Sequence, residues 1–219
     1  MSKNTWFSWS SGKDSLWALS RLLHDKQYEV SAIFTSINES FNRVSMHSVR
    51  LSLLKIQARN LGLPLKLIRL PFPCSNKAYE GIMKAFIEEA KNDDVEFFGF
   101  GDLYLEDIRK YRIKQLLGTG IKPIFPLWGE NTHHLSLQMV EQGVRSVITC
   151  VDEKQLPREF CGRIFDKDFL RKLPCEVDPC GENGEFHSFV FDCPLFPGKI
   201  PFHFGKQVSR DGFTFQDIF

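Results

Sequence analysis

The sequence predicts an α/β chain: a doubly wound, mainly parallel, Rossmann-like sheet followed by a smaller C-terminal α+β domain. Three observations predict it. Short apolar runs alternate with helical patterns through the first 120 residues. Those runs lack polar alternation, as strands buried on both faces do. A hexapeptide of small and polar residues, Ser10-Ser11-Gly12-Lys13-Asp14-Ser15, joins the first run to the first helical pattern. Such folds hold anions at that junction.

Strands are expected at residues 5–9, 30–36, 64–70 and 95–101, and helices at 14–25, 45–61, 76–92 and 106–117. Leu16, Leu19, Leu22 and Leu23 give the first helix its apolar spacing. Leu61-Gly62-Leu63-Pro64 is a helix stop and an extended restart. After Gly120 the pattern changes to an apolar stretch with two prolines at 121–127, a helix at 133–142, a buried strand at 144–151 and a short helix at 166–173. Residues 174–185, rich in Pro, Gly, Asp and Cys, form a long loop, and 186–192 and 199–209 are late strands. The expected division is 1–120 for a nucleotide-binding domain and 121–219 for a substrate-binding domain, with a cleft between them.

The formal net charge of +1 argues against a nucleic-acid surface. The apolar runs fall short of a membrane span, and Met1-Ser2-Lys3-Asn4-Thr5 opens no signal peptide, so a cytoplasmic place is expected. The six cysteines form no C-x-x-C pair, and most are expected as buried free thiols; Cys175 and Cys180 flank a turn and could bridge or bind metal. The 21 phenylalanines fit core and interface, and an exposed cluster of them would fit a homodimer.

Residues 10–15 point backbone N–H groups outward at the positive end of a helix dipole. Lys13 adds a charge, and Ser10, Ser11 and Ser15 add hydroxyl donors. Asp14 would hold a magnesium ion or fix the loop. The ligand should sit at the carboxyl ends of the strands, where Ser36, Gly101 and Asp102 also fall, with Ser36 near adenine and ribose. Asp102, Glu106 and Asp107 open a helix, either as dipole-complementing acids or as substrate contacts. Arg109 and Arg112, three apart, share a helix face and could hold a carboxylate or phosphate, or form a solvated basic face. A second dense signal is Asp178-Pro179-Cys180-Gly181-Glu182-Asn183-Gly184-Glu185-Phe186-His187. Its acids could hold magnesium or orient an amine, and His187 could act on protons near neutral pH; the bland alternative is an acidic surface turn.

The hexapeptide resembles the PP-loop of N-type ATP pyrophosphatases, S-G-G-x-D-S, with Ser11 in place of the first glycine. Serine is expected there with negative φ. The chain as a whole resembles the diphthine–ammonia ligase family of ATP-binding proteins, in a bacterial-type short form. The resemblance rests on the PP-loop, Met46-His47, Leu61 to Pro64, Phe100 to Asp107, Arg109, Arg112, Pro126-Leu127-Trp128 and Gly181 to His187. It implies ATP and Mg2+, and a reaction in which ATP adenylates a carboxylate and ammonia then attacks, giving an amide, AMP and pyrophosphate. The carboxylate would belong to a small molecule or a modified protein side chain. The implied catalytic residues are Lys13, Asp14, Glu182, Glu185 and His187, with Asp14 on the metal. The nucleotide would lie on residues 10–15, Ser36, Gly101 and Asp102, and the substrate on His47, Asp107, Arg109, Arg112, Gly181, Asn183 and Gly184. Two alternatives stay open: a nucleotide-binding sensor without turnover, and a tRNA-thiolation-type enzyme, which would need reactive cysteines and a basic face.

Overall fold

The structure, a computed structural model, describes residues 2–44 and 49–219. Strand β1 (Lys3–Ser8) lies between β2 (Tyr28–Asn38) and β5 (Phe97–Gly99). Strand β4 (Leu65–Leu70) flanks β2, and β6 (Lys122–Ile124) flanks β5, all in parallel. A short β3 (Arg43–Val44) turns back on the end of β2. The connections are helical: α1 (Lys13–His24), α2 (Leu51–Leu61), α3 (Asn76–Asn92) and α4 (Glu106–Leu116).

The central strand shows why this sheet is doubly wound. Adjacent side chains on a strand face opposite ways. Trp6 packs on one side with Phe86 and Ile87 of α3, and Phe7 on the other with Leu16 and Leu19 of α1 and Leu54 of α2. Each fully buried ring of this kind stabilises by roughly 2–3 kcal/mol. Gly62 ends α2 with φ of 68°, the left-handed conformation the helix stop requires.

The second sheet is antiparallel. Strand β7 (Arg145–Asp152) pairs with β9 (Phe186–Asp192) on one side and with β8 (Ile164–Phe165) and β11 (Phe213–Ile218) on the other, and β10 (Phe204–Arg210) lies beyond β11. Helices α5 (Thr132–Glu141) and α6 (Lys167–Lys172) complete this half. Phe189 and Val190 of β9 belong to the same core cluster as the α1 leucines, so the second sheet packs on the α1 side of the first.

Some elements depart from expectation. Strands β3 and β8 are two residues each, too short to carry a period. Strand β11 was legible as alternation after the turn at Asp211-Gly212 and was missed. The run at 199–209 becomes a strand only from Phe204. Helix α2 begins at Leu51, after extended Arg50. The expected helical positions 45–48, with Met46 and His47, lie outside the described residues. Among those described, no helix is long and apolar enough to cross a membrane. Cys150, Cys161, Cys180 and Cys193 are buried free thiols, and Cys74 and Cys175 are exposed and free.

Candidate active site

Residues 10–15 leave the carboxyl end of β1 and enter α1, whose N-cap is Gly12. The loop is laced by its own hydroxyls. Ser15 Oγ donates to the Gly12 carbonyl at 2.9 Å, the Ser10 hydroxyl lies 3.0 Å from it, and Gly12 N donates to Ser10 Oγ at 3.3 Å. Ser11 has φ of 74°, not the negative value expected. The cause is its carbonyl, which accepts from Val190 N at 3.0 Å and from Gln57 Nε2 at 3.1 Å, so the peptide is turned toward the second sheet. Gly101 lies against this loop: a Cβ there would come within 3.2 Å of the Ser15 backbone.

Lys13 does not reach out freely toward a ligand. Its side chain is 1% exposed and its ammonium lies 2.9 Å from Asp14. The ammonium also donates to the Cys180 carbonyl and sits 5.0 Å from the Phe186 ring centroid. Burial pulls its pKa down, but Asp14 and the neighbouring groups outweigh this, and it stays above the usual lysine range. Burial holds Asp14 above the usual aspartate range, only partly offset by Lys13. Lys13 N also donates to Ser188 Oγ at 3.3 Å. The PP-loop is thereby fastened to β9 through Ser188 and to the loop before it through Cys180.

That second loop is braced from within. Asp178 Oδ1 accepts from Cys180 N at 2.8 Å and Glu182 N at 3.3 Å, and Oδ2 accepts from Thr132 Oγ1 at 2.6 Å. Glu185 is buried and accepts from Asp178 N at 2.9 Å and Asn183 Nδ2 at 3.0 Å. Gly181 has φ of 71°, and a Cβ there would meet the Phe186 carbonyl at 2.8 Å, so only glycine fits. Glu182 reaches the first sheet: its carboxylate accepts from Leu103 N at 2.7 Å and Tyr104 N at 3.3 Å. Burial pushes its pKa up to about 7 despite those donors. Burial pushes His187 down to about 4, so its imidazole is neutral near pH 7.

Two cavities meet over the PP-loop. One of about 220 Å³ is lined by Ser10, Gly12, Lys13, Asp14, Ser15, Gly101, Asp102, Arg112, Gly181, Glu182 and His187. The other, about 510 Å³, adds Ser36, Asn183, Gly184 and the apolar side chains of Phe34 and Ile68, and shares Phe100 with the first. Arg112 and Asp102 line both, 3.6 Å apart at Nε and Oδ2. Those two atoms are buried without a hydrogen bond. Burial raises the Asp102 pKa against the pull of Arg112.

Other sequence candidates lie elsewhere. The Ser11 hydroxyl is buried without a hydrogen bond and lines neither cavity. Asp107 is exposed on α4 and lines neither. Arg109 lies 4.5 Å over the Trp128 ring and 3.7 Å from Glu106, outside both. Glu185 supports its loop from beneath and also lines neither cavity. His47 is outside the described residues.

Gln57 went unrecognised in the sequence. It is fully buried on α2, donates to Ser11 O and to Val190 O at 2.7 Å, and accepts from Trp9 Nε1 at 2.9 Å. The signal was a lone amide among the buried positions Leu53, Leu54 and Ala58. Magnesium suits the donor set of the smaller cavity. It takes one or two carboxylates plus phosphate oxygens and water, and Asp14 lines this cavity with further lone pairs beyond those facing Lys13. Among the described residues, no group of three His, Cys, Asp or Glu forms an all-protein cage.

Comparison with known proteins adds to this geometry. Residues 3–123 match the family described as Diphthamide synthase N-terminal domain, and residues 131–213 match Diphthamide synthase C-terminal domain. The chain is 27% identical to the Homo sapiens diphthine–ammonia ligase over 149 residues, 64% of this chain and 55% of that protein. It is 25% identical to the Bos taurus protein of that name over 151 residues, 66% and 56% of the two chains. With the Schizosaccharomyces pombe protein of that name it shares 33% identity over 85 residues, 37% and 14% of the two chains. The chain thus spans about half the length of the mammalian relatives it matches. Among solved structures it is similar to the U34-tRNA thiolase NcsA from Methanococcus maripaludis, at 18% identity and a TM-score of 0.39 over 64% of this chain and 57% of that one.

Proposed function

The chain belongs to the diphthamide synthase family, and on that premise we propose that it is an ATP-dependent, AMP-forming ligase that turns a substrate carboxylate into an amide. A carboxylate is a poor acceptor because its charge repels nucleophiles and its leaving group would be oxide. Adenylation removes both obstacles. A carboxylate oxygen attacks the α-phosphorus, the bond to the β-phosphate oxygen breaks, and pyrophosphate leaves. Ammonia then attacks the acyl carbon, AMP departs with the C–O bond pair, and one proton is left to be taken.

The phosphates lie on the amides opening α1 and on the Ser10 and Ser15 hydroxyls, with the buried Lys13 charge as a fixed field beneath them. The adenine lies between Phe34, Ile68 and Phe100, with Ser36 at its rim. Arg112 Nε and Asp102 Oδ2, ion-paired with each other but without a hydrogen bond, supply a donor and an acceptor to the nucleotide. Magnesium bound at Asp14 would neutralise phosphate charge and favour pyrophosphate departure. Glu182 takes the proton from the attacking amine, since a carboxylate titrating near 7 is matched to that task. Neutral His187 contributes hydrogen bonds rather than charge.

The observation that supports this reading is that Glu182 and the PP-loop line one cavity although 168 residues separate Glu182 from Asp14. The thiol of Cys180, whose carbonyl accepts from Lys13, is pushed up by burial, which opposes a thiolate and so a thiolation chemistry there. Chromatography of nucleotide products with ATP, magnesium, ammonium and a carboxylic acid panel tests the proposal. AMP with pyrophosphate is expected; ADP as the main product refutes it.

A further inference from the structure

A third cavity, of about 660 Å³, opens from the same centre. It shares Val44 and His187 with the nucleotide-sized cavity. Its floor is a face of the second sheet, where Phe215 and His187 both pair in register with Cys150, and Phe213 lies two residues along. Its opposite wall comes from the first sheet: Phe41 in the turn between β2 and β3, and Phe72 after β4. The Phe41 and Phe72 rings are 5.6 Å apart and are 56% and 64% exposed. Two large rings held together in water at a cavity mouth are surface that an apolar body would cover.

The charges at the rim select among such bodies. Arg43 pairs with Asp217 at 2.9 Å, and Asp217 also serves Arg50, so that cluster keeps a positive excess. Arg210 lies 5.3 Å over the Phe215 ring and is 3.9 Å from the exposed Asp211. Phenyl faces attract cations, but Arg210 already occupies the face of Phe215, and with Arg43 in the same lining the cavity repels a second cation.

We propose that this cavity holds the acyl part of the substrate, and that the substrate is a small carboxylic acid with an aromatic body and no cationic group. The proposal rests on the ligase reading for where the carboxylate points: past His187 toward the α-phosphate. The volume lies within the roughly 300–1,000 Å³ of small-molecule sites, which favours a free acid over a folded protein partner.

The test has two separable parts. Indole-3-acetate is titrated without ATP by ligand-observed NMR against the wild type and against Phe41→Ala and Phe72→Ala, two exposed changes expected to leave the melting temperature unmoved. Saturable binding weakened about tenfold or more in both variants is expected, and it holds whether or not the protein is a ligase. Absence of binding, or equal binding in all three, overturns the cavity assignment. Acid-dependent ATP–pyrophosphate exchange is then measured with indole-3-acetate, acetate and a trimethylammonium acid. The aromatic acid should give the highest kcat/KM, with the variants raising KM and sparing kcat. Preference for the trimethylammonium acid, or for a peptide carboxylate, overturns the substrate class while leaving the ligase reading standing. Binding without any exchange sustains the cavity and counts against the ligase reading alone.

Discussion

Replacing Lys13 by Met probes the buried charge that ties the two sheets together. The side chain is 1% exposed and its ammonium lies 2.9 Å from a carboxylate that is 27% exposed. It also donates to the Cys180 carbonyl and lies 5.0 and 5.2 Å from the Phe186 and Phe165 ring centroids. Methionine keeps the stem's volume and removes the charge. Removing one partner of a buried pair costs about 3–5 kcal/mol, and the residual exposure of Asp14 sets this case near the lower end, about 3 kcal/mol. The lost ring contacts bring the total to about 4 kcal/mol. In a chain of 219 residues that is a fall in melting temperature of about 8–16 °C. Adding Asp14→Asn removes the orphaned carboxylate, so the double mutant should recover about 2 kcal/mol relative to additivity. The assay is calorimetry or urea unfolding across the four-member cycle. Because the Lys13 pKa is raised, its contribution is complete below the ordinary lysine range and lost only as pH climbs through the raised value. A Lys13→Met protein melting within about 2 °C of wild type, or a strictly additive cycle, refutes the clamp.

Three further outcomes follow from the site. Glu182→Gln should spare nucleotide binding, lower amide formation by about 10²-fold or more, and abolish a rate limb that rises up to about pH 7, since the carboxyl accepts a proton only once it has lost its own; a pH–rate profile of AMP release checks this. Ser11→Gly should stabilise by about 0.5–1 kcal/mol, because relief of left-handed strain at φ of 74° exceeds the added chain entropy and the serine hydroxyl makes no hydrogen bond; thermal melting checks it, and destabilisation would contradict the strain argument. Arg112→Ala should weaken ATP binding by about tenfold or more, while Arg109→Ala, stacked on Trp128, should leave it within about twofold; isothermal titration separates them.

The parallel sheet was legible because buried strands and amphipathic helices alternate at lengths that period and punctuation resolve. Residues 10–15 were legible for the same reason: a strand, small residues and a helix leave the loop only one place. The Ser11 conformation was not legible, because it is imposed by Gln57 and Val190, distant in sequence. The division of labour in the second loop was hidden too. Glu182 and Glu185 are three residues apart and chemically alike, and only the fold decides that one reaches Leu103 while the other props Asp178. Arg109 and Arg112 also share spacing and type, but Phe125 and Trp128 draw the first away from the cavity.

The bonds from Val190 N to the Ser11 carbonyl and from the Lys13 ammonium to the Cys180 carbonyl make the loop at residues 10–15 a joint product of distant chain segments. A polypeptide ending after β6 would carry every residue of the PP-loop and yet lack Val190, Cys180 and Ser188, the partners that tie it to the second sheet. On the proposed reading, nucleotide capture would report on whether the two pieces of a divided chain have found each other. A split placed after exposed Gly129, at the end of the turn at 126–129, would convert the protein into a complementation sensor, silent as fragments and competent on reassembly.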